Sequence, residues 1–154
     1  MGVETALEPI RRTITVQCSL EHAFRTFTEG IGSWWPVETY SIGIAEDGTG
    51  APVDVVLEAR TNGKLAEVAA DGTEKSWGEV VLAEPPHRLV LKWQPGSKHP
   101  TEVEIRFSAD GDATRVDLEH RNWEIYGDEA PAARDGYASG WPGVLARYAE
   151  AAGR

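Results

Sequence analysis

The chain predicts an α+β fold: a curved antiparallel sheet of about seven strands wrapped on one long C-terminal helix, with two short helices after the first strand. Three observations carry that expectation. Residues 53–122 alternate apolar and polar side chains, and turn signals recur every eight to twelve residues, the pattern of an antiparallel meander. From Asp128 to Ala152 the period changes, and Ala133, Tyr137, Trp141, Val144, Leu145, Tyr148 and Ala152 recur at steps of three and four, which places them on one helical face. A length of 154 residues suits one domain with one core, here a single domain over 1–154. A sheet buried along one face needs a cover, and the terminal helix is the only element long enough to provide it.

Residues 1–9 show no period and read as a loose lead-in. Ile10 to Cys18 alternates, with Ile14, Val16 and Cys18 on one face, and forms the first strand. Ser19 is placed to cap a helix whose apolar stripe is Leu20, Ala23, Phe24 and Phe27. Gly30 to Pro36 interrupts that helix or begins a second short one, and Pro36 ends it. Tyr40 to Pro52, rich in Gly, Ser, Thr and Asp, reads as a long loop whose length and glycine content would allow movement as a lid.

Val53 to Arg60 and Lys64 to Ala69 flank Asn62-Gly63, a tight-hairpin dipeptide. Glu74 to Ala83 ends at Pro85-Pro86, and Arg88 to Trp93 makes the next strand. Thr101 to Ser108 points Val103, Ile105 and Phe107 inward and Glu102, Glu104 and Arg106 outward. Thr114 to Asn122 points Val116, Leu118 and His120 inward and Arg115, Asp117, Glu119 and Arg121 outward. Trp77 falls on the outward parity unless Gly78 makes a bulge. In the terminal helix, Asp128 and Glu129 favour the start, while Gly136, Gly140, Pro142 and Gly143 predict a kink or break near Gly140 to Pro142.

Composition excludes several functions. A formal net charge of -10, from 15 Lys and Arg against 25 Asp and Glu, opposes binding to nucleic acid or to an anionic membrane surface. One cysteine excludes an internal disulfide or a multi-cysteine zinc site, and with no leader or long apolar run the expected location is the cytoplasm. His22, His87, His99 and His120 lack metal-ligand spacing, and no phosphate loop or nucleophile elbow is present, so no metal, cofactor or catalytic residue is assigned.

Several motifs stand together in one order: Ala23-Phe24 with Phe27-Thr28, Trp34-Trp35-Pro36, Gly63 with Glu67, Asp71-Gly72, Trp77-Gly78-Glu79-Val80, Glu84-Pro85-Pro86, Arg88-Leu89-Val90 with Trp93, Val116 to His120, and Gly140-Trp141-Pro142 with Val144-Leu145. With the element order, this set resembles the helix-grip fold of the START-like (SRPBCC) superfamily, and within it the bacterial branch named after the activator of the ninety-kilodalton heat-shock protein ATPase. The resemblance implies a cavity between helix and sheet.

Trp35, Trp93, Phe107, His120, Tyr137 and Trp141 are the candidate ligand-binding residues, because aromatic side chains with one polar edge suit an apolar pocket that must also orient its ligand. His120, inward beside Leu118, is open to three readings: a hydrogen-bonded core residue, a polar handle for a ligand, or a proton carrier. Trp123 lines the pocket mouth or packs beneath the loop. Glu67 and Glu79 are expected on the exposed strand face, Arg106, Arg115 and Arg121 in a solvated ladder with Glu102, Glu104, Asp117 and Glu119, and Cys18 as a buried inert thiol.

Three functions fit. The first is binding of a small apolar or aromatic molecule under the C-terminal helix. The second is a cyclase or dehydratase using the same cavity, with His120 or Tyr137 moving a proton. The third is a cochaperone-like interaction module with an exposed apolar patch and a closed interior. A homodimer or a partner protein stays open.

Overall fold

Seven strands form one antiparallel sheet in the computed structural model, which describes residues 7–96 and 98–153. They are Ile10–Val16 (β1), Asp54–Leu57 (β2), Lys64–Val68 (β3), Glu74–Glu84 (β4), Arg88–Trp93 (β5), Thr101–Asp110 (β6) and Ala113–Arg121 (β7). Their order across the sheet is β1-β7-β6-β5-β4-β3-β2, so the meander from β2 to β7 is closed at one edge by the first strand. The helices are Leu20–Phe27 (α1), Ile42–Ala45 (α2) and Ala130–Ala152 (α3), with 3-10 turns at Ile31–Ser33 and Trp123–Glu129. The curled sheet and long terminal helix are those expected, and the two short helices after the first strand are met loosely by α1, a 3-10 turn and α2. Residues 1–6 of the expected lead-in lie outside the described residues.

Local chemistry explains the boundaries. Ser19 caps α1 as expected, its hydroxyl accepting from the His22 N–H at 3.2 Å. The terminal helix begins at Ala130 rather than Asp128, because Gly127 has φ 56° and Pro131 sits in the first turn, where a missing N–H is harmless. It does not break at Gly140 to Pro142: one helix runs through Pro142 to Ala152. Trp141, Val144, Leu145 and Tyr148 are all buried on both sides of the proline, and this packing outweighs its local penalty of about 3 kcal/mol. Two further expectations change. Asn62-Gly63 does not make a two-residue turn, since Leu57 pairs with Leu65 and a longer loop joins β2 to β3. The stretch Tyr40 to Pro52 is not all loop, because Ser41 caps α2 within it.

The inner face of the sheet carries the core, one continuous cluster with two ends. Under α1, Phe24 packs on Phe107 at 5.2 Å and Phe27 on Tyr148 at 5.1 Å. The Tyr148 hydroxyl donates to the Ala23 carbonyl at 2.7 Å, locking α3 to α1. Trp34 packs on Phe27 and Tyr148 and on Trp35, linking this end of the core to a second that holds Trp35, Trp77, Trp93 and Trp141 and opens to solvent.

The outer face carries the charged ladder, with one departure. Glu104 is only 5% exposed, accepting from Arg88 Nε at 2.6 Å, Arg106 Nε at 2.7 Å and Arg121 Nη1 at 2.7 Å. It is the centre of the ladder rather than a solvated rung, because three guanidinium groups close over it. Cys18 is half-buried, and burial pushes its thiol above the usual range, as an inert thiol requires.

Candidate functional site: an aromatic cavity beneath the terminal helix

Between α3 and the sheet lies a cavity of about 410 Å³, within the range typical of small-molecule sites. Its floor is made by Trp35, Trp77, Trp93 and Trp141, all at most 5% exposed. Neighbouring rings meet at tilted or edge-on angles, Trp35 to Trp77 at 5.0 Å and Trp93 to Trp141 at 5.7 Å, the arrangement the ring quadrupoles favour. Trp77 reaches the floor through the bulge considered above. The β3–β4 register skips it, pairing Leu65 with Gly78 and Ala66 with Ser76, and Gly78 has φ 132°, which a side chain rarely adopts.

The helix makes the space. Ala132, Ala133, Gly136 and Gly140 line the cavity where larger residues would fill it. A Cβ at Gly136 would meet nothing within 4 Å, whereas one at Gly140 would come 3.1 Å from the Tyr40 phenol oxygen.

All six tryptophan N–H groups are engaged by the protein itself. Trp34 donates to the Thr26 carbonyl at 2.8 Å, Trp35 to the Tyr40 carbonyl at 2.7 Å and Trp123 to the His120 carbonyl at 3.0 Å. Trp77 donates to Glu67 Oε1 at 2.7 Å, Trp93 to Tyr137 Oη at 3.2 Å and Trp141 to His120 Nδ1 at 3.1 Å. The rings are thus fixed in place, and what they turn to the cavity is hydrocarbon.

Of the six residues expected to bind a ligand, Trp35, Trp93, Tyr137 and Trp141 line the cavity, while Phe107 and His120 do not. Phe107 packs on Phe24 and Phe27 at the end of the core under α1. His120 is fully buried behind the aromatic wall. An indole can only donate, so His120 Nδ1 is the acceptor of Trp141 and Nε2 carries the proton, donating to Thr101 Oγ1 at 2.7 Å. Both nitrogens are satisfied, and burial lowers the imidazole pKa to about 3, so it stays neutral. Of its three readings, this geometry is that of the hydrogen-bonded core residue. Trp123 is fully buried and stacks on His120 at 4.3 Å, packing beneath the loop rather than lining the mouth.

Glu67 is the residue the sequence reading misplaced. It is 0% exposed, and its carboxylate accepts from the Ile42 N–H at 2.7 Å, the Gly43 N–H at 3.1 Å and Trp77. One side chain thereby joins the cavity floor at Trp77 to its rim at α2. Glu79 is not its neighbour: Glu67 pairs with Lys75 and Glu79 with Lys64. The Tyr40 to Pro52 stretch is also held at its far end, where Lys75 Nζ reaches Thr49 Oγ1 at 2.7 Å and pairs with Asp47. Hydrogen bonds from Lys75 and Thr49 hold the Asp47 carboxyl at about 2.

Polar groups gather at the mouth. Tyr40 is 44% exposed, Glu46 and Lys98 are exposed, and Tyr126 meets the His99 ring edge-on at 4.9 Å. Tyr137 stands deeper, and burial pushes its phenol well above the usual range. Among the described residues there is no cluster of side chains suited to a metal ion, and no helix is long and apolar enough to cross a membrane.

A curled antiparallel sheet gripping a C-terminal helix over an aromatic cavity defines a helix-grip protein of the START-like superfamily. The chain belongs to the family described as "Activator of Hsp90 ATPase homolog 1-like protein", whose model matches residues 17–153. Among solved structures it is similar to CalC from Micromonospora echinospora, a self-sacrificing resistance protein, with 28% identity and a TM-score of 0.71 over 94% of each chain. It is also similar to Txn09, an anthrahydroquino-gamma-pyrone synthase complexed with SUM, with 28% identity and a TM-score of 0.61 over 95% of this chain and 97% of that one. Protein BH1534 of Bacillus halodurans shares the fold at 15% identity, with a TM-score of 0.64 over 97% of this chain and 99% of that one. No curated protein matches the chain.

Proposed function

We propose that the protein binds a small apolar or aromatic molecule in the cavity beneath α3. The observation that carries this reading is the floor of four tryptophans whose N–H groups are all internally satisfied. Such a surface is rigid before any ligand arrives, so little ordering entropy is lost on binding. The rings also present faces and edges on which an aromatic ligand can pack. The resemblance to Txn09 and CalC supports a cavity that takes small molecules.

A second reading, a cyclase or dehydratase acting in the same cavity, draws on the likeness to a synthase and on the Tyr137 hydroxyl at the wall. It needs a second convergent polar group, and His120, fully engaged behind the wall, does not provide one. The cochaperone-like reading required a closed interior, and the cavity argues against it.

Mass spectrometry of the protein purified gently from its own host, under native and then denaturing conditions, tests the binding role. The expected result is a stoichiometric small-molecule adduct that leaves on unfolding. No adduct, together with tryptophan fluorescence that ignores a panel of aromatic ligands, would overturn it. Conversion of the released molecule on re-addition would favour the enzyme.

A further inference from the structure

Away from the polar mouth, the cavity's hydrogen-bonding groups are hydroxyls. The indoles have no N–H left to give, and Ser41 Oγ, beside α2 at the rim, accepts from the Ile44 N–H at 3.2 Å and keeps its own proton. Glu67, the buried carboxylate nearest the floor, already accepts three hydrogen bonds and does not line the cavity. Tyr137 is different. Its oxygen accepts from Trp93 Nε1 at 3.2 Å, which leaves the phenol proton as the group to be donated. Burial keeps that phenol protonated. Trp93 cannot turn to release it, because its ring is wedged against Trp35, Trp77 and Trp141 at 5.7 Å in each case. The strand beneath is tied through Thr101, whose hydroxyl sits between His120 Nε2 at 2.7 Å and the Trp93 carbonyl at 3.3 Å.

Resting on the binding role above, we infer that the ligand is an aromatic carbonyl compound, a ketone or quinone, whose oxygen accepts a hydrogen bond from Tyr137 Oη while its rings lie on the tryptophan floor. A carbonyl accepts from this hydroxyl, set among the tryptophan rings. A ligand of the same shape without that oxygen leaves the donor buried and unpaired, which is where the discrimination comes from.

Two soluble three-ring probes separate the possibilities: anthraquinone-2-sulfonate, which has ring carbonyls, and anthracene-2-sulfonate, which lacks them. Titration calorimetry on the full chain is expected to show the quinone bound about tenfold more tightly. Tyr137→Phe should weaken the quinone about tenfold more than it weakens the hydrocarbon probe, so that the parent's preference is lost, with its Tm within a few degrees of the parent. Equal affinity of the parent for the two probes, or a quinone preference that survives Tyr137→Phe, would overturn the assignment and leave the binding role standing. Failure of both probes to bind would remove both. Should Tyr137→Phe not fold, replacement of Tyr137 by 3-fluorotyrosine, a more acidic donor of nearly the same size, should strengthen quinone binding alone; no change would count against the assignment.

Discussion

Strands β6 and β7 bury two ionisable side chains back to back, and the sheet treats them in opposite ways. On the inner face His120 is 0% exposed, pairs with Val103 across the strands, and is held neutral by Trp141 and Thr101. On the outer face Glu104, one residue further along β6, is 5% exposed and held ionised. Burial alone would raise its pKa, yet hydrogen bonds from Arg88, Arg121 and Arg106 bring it to about 2. Equal burial therefore gives opposite charge states, and the neighbours decide which. Around His120 the partners are an indole and a hydroxyl, with no counter-ion among them, and the imidazole stays uncharged.

The comparison can be broken most severely at Glu67, a buried carboxylate that, unlike Glu104, relies on N–H donors with no formal charge. Glu67→Ala should lower stability by about 3 kcal/mol in chemical denaturation, because three donors lose their acceptor. It should also lower aromatic-ligand affinity at least tenfold, since floor and rim are no longer joined. Glu104→Ala should cost about 2 kcal/mol and leave ligand affinity unchanged: Arg121 keeps Glu102 and Glu119 as partners, and Arg106 is largely solvated. An affinity change in that variant would show that the faces are coupled.

The sharpest test is a pH profile. His120 has a folded-state pKa of about 3 against an ordinary 6.5, so the unfolded chain binds the proton first. Its contribution is complete above pH 6.5 and lost progressively as pH falls toward 3, by up to about 1.4 kcal/mol per unit. Glu104 has the same sign in a lower window, from its ordinary value near 4.5 down to about 2. In His120→Gln the decline in stability between pH 6.5 and 4.5 should flatten, while the fall below pH 4.5 persists. An unchanged slope would mean that His120 is not neutral in the folded protein.

Much of the fold was legible because period and parity are local. The alternation of Val116, Leu118 and His120, the Ser19 cap and the apolar stripe of α3 all stand as read. The site was less legible. Parity says that Phe107 and His120 face inward, but not how far each lies from the cavity, with Phe107 under α1 and His120 behind the wall. Glu67 shares its parity with fully buried Leu65, so position pointed inward, and the usual exposure of glutamate argued the other way. Two of its partners are backbone amides of a four-residue helix inside a loop, and no side-chain pattern announces them. Gly136 and Gly140 read as weak points in a helix. In the folded protein they are the absence of side chains that gives the cavity its room.

That room is adjustable from one edge of one helix. A Cβ at Gly136 meets no heavy atom within 4 Å, so a methyl group can be added at the cavity lining with strand register untouched. That addition also replaces a poor helix former with a better one, gaining up to about 1 kcal/mol of helix stability as capacity falls. Capacity and sturdiness are thus opposed at a single position, and a lineage of such proteins could drift from hollow to solid, or back, without passing through an unfolded ancestor.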